Sequence, residues 1–222
     1  THVLLAARAA AGWKAWDHVR AVLEDREWLE RAESGEGLFL LGRAQEELGL
    51  EEVAARTYTR YAALTGAANA GVALSRLAAI QAESGNHSAA AATYGRAAAA
   101  APEIADWLTT LQVEALAPTS TALPVSLVTS SAPITAPARL RRVQAEAEVR
   151  RRAGDVEGAL RKMEWEERVL RAQDAVAEAT ELRVARGTLL VEEGVIDEAR
   201  RVLRSAAWES GAVGAIRGEA AD

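Results

Sequence analysis

A chain of 222 residues that is 50% hydrophobic but only 5% aromatic draws its apolar content mostly from alanine. Alanine buries little area per residue, so stability has to come from many close helix contacts repeated along the chain rather than from one large centre. A formal net charge of -6 and a pI near 5.3 exclude a nucleic-acid surface, which needs a positive field, and the lack of cysteine excludes disulfides, thiolate nucleophiles and thiolate metal sites.

Thr1 opens the sequence without methionine, which fits either a removed targeting segment or a fragment of a longer protein. Residues 2 to 11, HVLLAARAAA, have helical composition, and Gly12 stops them before a second helix with Trp16, Val19, Val22 and Leu23 on its apolar side. Glu33 to Gly37 reads as a loop. Residues 38 to 66 then form a helix pair in which Leu41-Gly42 lies on the first helix, Gly49 supplies the turn, and Ala54, Tyr58 and Tyr61 face inward on the second. The next pair runs from about Val72 to Pro102, with Leu74 and Leu77 inward, a turn at Ser84-Gly85-Asn86, and small Ala90, aromatic Tyr94 and small Ala97 on one face. Small residues let antiparallel helices approach, one ring fills the gap, and Pro102 ends the helix. Gly49 and Gly85 stand 36 residues apart, close to the period of about 34 residues in tetratricopeptide repeats.

A further helix carries Ile104, Trp107, Leu108 and Leu111 at helical spacing. Residues 117–138 follow, with Pro118, Pro124, Pro133 and Pro137, many hydroxyls and no charge. The prolines and hydroxyls exclude a membrane span, since backbone groups would stay unsatisfied in lipid. The stretch reads as an extended connection lying over the helices, anchored by Leu123, Val125, Leu127, Val128 and Ile134. Helices resume at Ala138, with Leu140, Val143 and Ala147 as a buried stripe and Arg142, Glu146 and Arg150 on a solvated face. Gly154-Asp155 is the next turn, and the 69 residues from Gly85 to Gly154 amount to about two repeat periods. In the last pair Gly187, Gly194, Ala199, Leu203 and Ala206 take matching places, and the periodicity thins out after Glu209. The organisation expected is helix pairs over 1–116, the connector over 117–138, helix pairs over 139–209 and a tail over 210–222. The fold class expected is all-α, a right-handed superhelix of antiparallel helix pairs.

This pattern resembles tetratricopeptide-like repeats. More narrowly, PEIADWL at 102 to 108, the proline-interrupted connector, AEAEVRRRAGDVEGAL and the opening LLAARAAAGWKAWDHVRAVL resemble the amino-terminal α-superhelical region of bacterial soluble lytic murein transglycosylases. The resemblance implies a periplasmic, non-catalytic module, with a separate lysozyme-like domain cutting peptidoglycan. That family's catalytic signature is a Glu-Ser pair followed at a distance by a glycine-rich run. Glu209-Ser210 and Gly211-Ala212-Val213-Gly214 touch each other instead, and Glu-Ser-Gly recurs at 33–35 and 83–85 as a helix end, so no catalytic residue is expected.

His2, His18 and His87 are scattered, and neither a metal nor a cofactor is expected. Most of the six tryptophans read as packing between layers. Trp165 falls off the inward stripe Val156, Ala159, Leu160 and Met163, so it points to a neighbouring pair or outward. As an outward ring it would be a partner contact. With it, Arg139, Arg141 and Arg151 from the arginine-rich helix and Leu123, Val125 and Leu127 from the connector make up the candidate contact set. The partner expected is one or more proteins, membrane-embedded ones included. The function expected is a periplasmic scaffold subunit, and the alternative is the peptidoglycan-positioning part of a transglycosylase.

Overall fold

A computed structural model describes residues 2–124, 127 and 135–219, with side chains as far as Glu209. These residues form eleven α-helices and two short 3-10 turns, without a strand among them. Each helix packs chiefly on its neighbours in sequence, an arrangement compatible with a helical repeat fold. The chain divides into two compact units, Thr1–Ala115 and Leu116–Asp222.

The first unit holds α1 (His2–Gly12), α2 (Trp16–Leu23), α3 (Glu36–Glu47), α4 (Glu51–Ala62), α5 (Ala70–Glu83), α6 (His87–Ala100) and α7 (Ala105–Leu116), the last reaching one residue past the division. Its close approaches have visible causes. A Cβ on Gly42 would come within 2.9 Å of the Tyr58 ring, so the glycine of α3 is what lets that ring pack directly against α3. Tyr58 is fully buried and its hydroxyl donates to Glu46 at 2.5 Å, while Glu46 pairs with Arg76 of α5 at 2.9 Å. One tyrosine thus ties three successive helices. Ala90, Tyr94 and Ala97 are buried on α6 as the spacing predicts, and α6 ends just before Pro102. The expected loop at 33–37 is shorter, because Ala32–Gly35 is a 3-10 turn and α3 opens at Glu36. Glu33, Ser34 and Gly35 all have positive φ there (46°, 53° and 81°), and Arg8 braces the turn by pairing with Glu33 and Glu36.

The second unit holds α8 (Ala136–Arg152), α9 (Val156–Ala172), α10 (Val176–Glu192) and α11 (Ile196–Glu219). The first three are each 17 residues long, against 12 to 14 in α3 to α6. Val156, Val176 and Ile196 open helices at intervals of 20 residues, and Ala159, Ala179 and Ala199, three places on, are all buried. A helix pair here therefore repeats every 40 residues rather than the 36 that separate Gly49 and Gly85, so the expected common register does not extend across the connector.

The turns of this unit make one position informative. Gly154 and Gly194 adopt φ of 80° and 77°, and between them Asp174 does the same job at φ 60°. A left-handed conformation costs an L-residue energy that glycine does not spend. Asp174→Gly is expected to raise the stability of the second unit by about 0.5–1 kcal/mol, less the extra entropy of the unfolded glycine, read as a higher urea midpoint.

Several expectations are corrected. The helix after the connector begins at Ala136, with Pro137 in its first turn, where a missing N–H costs nothing. Arg142 is 4% exposed, not solvated: it donates to the Leu127 carbonyl and to Glu146 at 3.0 Å. Buried backbone acceptors need partners, and this one is served by the arginine. Trp107 on α7 and Ile104 in the 3-10 turn before it stay substantially exposed, whereas Leu108 is buried. Residues 125, 126 and 128–134, with Val125, Val128 and Ile134, lie outside the described residues. At the other end α11 continues past Glu209 to Glu219.

Candidate interaction surface

Four consecutive residues on α9 organise the second unit. Glu164, Trp165, Glu166 and Glu167 point in directions about 100° apart around the helix. Glu166 turns toward α8, where Arg139 lies at 3.0 Å and Lys162 of its own helix at 2.9 Å. Glu167 turns toward α10, where its Oε1 accepts from Arg183 Nε at 2.7 Å and its Oε2 faces Arg186 at 3.3 Å. Both glutamates are buried. With those two directions committed to neighbouring helices, Trp165 is left outward, 52% exposed, with the Lys162 ammonium 5.4 Å from its ring centre. Packing against a neighbouring pair is thereby corrected for this residue. It is corrected for Trp13 and Trp208 as well, at 85% and 82% exposed, whereas Trp16 and Trp28 do pack against the core of the first unit.

The ionic web reaches α11. Glu209 pairs with Arg171 and with Arg183 at 2.9 Å. Burial works to raise its carboxyl, but the two guanidiniums outweigh it and hold the group below the usual carboxylate range. A carboxyl kept ionised in this way is a poor proton donor.

The expected contact residues scatter. Arg141 is exposed, and Arg151 stands at the rim of a groove of about 250 Å³ between α8 and α10, its guanidinium bonded to Glu148 at 2.7 Å. Met163 and Leu189 line that groove. Trp165 is two residues from Met163, or about 200° around α9, and so faces the other way. Arg139 and Leu127 are internal, Leu123 is half-buried, and Val125 lies outside the described residues.

A surface that the sequence does not single out lies on α10. Val184, Val191 and Val195 are 43%, 47% and 43% exposed, and Thr188 between them is exposed too. Val184, Thr188 and Val191 share one side of α10, Val195 lies in the turn that follows it, and Ala179, Leu182 and Leu190 are buried on the opposite side. The signal lies in Val184, Thr188 and Val191 as a second stripe at i, i+4 and i+7. By period alone it cannot be told from a core stripe. Among the described residues no cluster of three metal-ligating side chains occurs, and no helix is long and apolar enough to cross a membrane.

No protein-family model, no curated protein and no solved structure matches this chain.

Proposed function

We propose that the chain is a non-catalytic protein-binding scaffold, with helix pairs that wind as in tetratricopeptide-like right-handed superhelices, docking as a peripheral subunit on a larger assembly at the periplasmic side of the bacterial envelope. The observation that carries binding is the uncovered apolar ridge of Val184 and Val191 on a helix whose opposite side already serves the core, extended by exposed Val195 in the turn that follows. The Leu41-Gly42 and Tyr58 packing supports the repeat reading. The periplasm and the envelope rest on the resemblance of the opening stretch and of residues 102–108 to the transglycosylase superhelix. Positioning of peptidoglycan is the competing outcome of the test.

The chain has no cysteine, so single cysteines report cleanly. A photo-cross-linker on Val191→Cys, in cells that make the protein, is expected to yield one discrete protein adduct. The same probe on Glu157→Cys, an exposed site on α9, is expected to yield none. The absence of any adduct from position 191, or sedimentation of the chain with purified peptidoglycan, contradicts the scaffold.

A further inference from the structure

The charge beside the valine ridge says what kind of partner it fits. Glu181 and Glu192 are exposed on α10, along the edge of the ridge that faces α8. Neither forms an ion pair among the described residues, whereas Glu146, Glu148, Glu164, Glu166 and Glu167 of the preceding helices all do. Arg151 lies within Coulombic reach of Glu192 but gives its guanidinium to Glu148. Glu148, Glu181, Glu192 and Glu193 stand there against Arg151 and Arg152, which share Glu148, so the edge keeps a net negative charge.

With Val195 in the turn just beyond α10, Val184, Thr188 and Val191 run along two helical turns, about 11 Å. Their spacing is that of a seam against which another helix packs, and β-branched side chains lose little rotamer freedom when covered. The groove lined by Met163 and Leu189 opens beside Thr188 and Glu192 and offers a hole for one side chain from such a helix.

We propose that this seam docks an amphipathic helix of a different protein, apolar along the contact and carrying lysine or arginine on the flank that meets Glu181 and Glu192. The proposal rests on the scaffold reading and deepens it. The arginine-rich stretch 139–152 does not supply this contact, because Arg139, Arg142 and Arg151 pair with Glu166, Glu146 and Glu148. A second copy of this chain is disfavoured as occupant, since it brings the same acidic edge and the same net charge of -6.

The test uses the whole chain and two synthetic helical peptides with one leucine stripe, flanked by lysines in one and by glutamates in the other, followed by fluorescence anisotropy at low salt. The lysine-flanked peptide is expected to bind roughly fivefold or more tightly than the glutamate-flanked one, as two exposed ion pairs allow. Val184→Ser with Val191→Ser is expected to weaken it roughly tenfold. Glu181→Lys with Glu192→Lys, at exposed positions that leave the fold intact by circular dichroism, is expected to invert the preference. Failure of both peptides to bind, binding indifferent to the valines, or a preference unmoved by charge reversal overturns the proposal. So does self-association that the serine variant abolishes, because the occupant is then a second copy. If the cross-linked native partner persists in the serine variant, the scaffold stands and this docking mode falls. If no native partner is captured from position 191 while the lysine-flanked peptide binds as expected, the scaffold reading falls alone.

Discussion

Glu167→Ala is expected to destabilise the second unit by about 3–5 kcal/mol, the usual consequence of removing one partner from a buried ion cluster. Glu167 is buried and faces three guanidiniums, those of Arg171, Arg183 and Arg186. Without it Arg171 and Arg183 share Glu209, and Arg186 keeps only Glu164 at 3.7 Å. Gathered positive charge is then left in a low-dielectric place, which costs more than the lost pair itself. Glu167→Gln keeps the volume and is expected to recover little. The exposed pair Glu157 and Arg161 on the same helix is the control, and its removal is expected to leave the urea midpoint unchanged. An unchanged midpoint in Glu167→Ala contradicts this description of the cluster.

Tyr58 is the corresponding position in the first unit. Tyr58→Ala empties the space between α3 and α4 that Gly42 was needed to open, and is expected to cost about 3–5 kcal/mol. Tyr58→Phe keeps the ring and leaves Glu46 its pair with Arg76, so the expected cost is about 1 kcal/mol. The two also differ in alkali. Burial, reinforced by the hydrogen bond to Glu46 and its charge, pushes the Tyr58 phenol well above its ordinary value of 10.0. The unfolded chain therefore loses this proton at lower pH than the folded one. Stability from this group is complete below pH 10 and declines as the pH rises above it. Tyr58→Phe is expected to show a shallower loss of stability above that pH in urea titrations, and an equal slope contradicts the assignment.

Much of the first unit was legible because its packing is local. Leu41-Gly42 with Tyr58, and Ala90 with Tyr94 and Ala97, carry in a few residues both the close approach and the ring that fills it. The second unit was read less well for physical reasons. Its 20-residue spacing is marked by Ala159, Ala179 and Ala199, and alanine is too common in this chain to stand out. Asp174 hides one of the three turns, because it adopts the left-handed conformation that glycine would have announced. Arg142 looked like part of a solvated face since nothing local to α8 reveals the Leu127 carbonyl it serves. The candidate surface failed in the same way. Whether Arg139 or Val191 meets solvent is decided by what neighbouring helices supply, Glu166 in one case and nothing in the other.

The central claim is that this chain works by holding another protein. Gentle purification from the native source, with light scattering for mass and mass spectrometry for composition, tests it most directly. The account predicts migration at fixed stoichiometry with a protein partner, and dissociation of that complex by substitutions on the α10 ridge. A free monomer at 23.6 kDa, or a longer parent polypeptide that cleaves peptidoglycan, contradicts it.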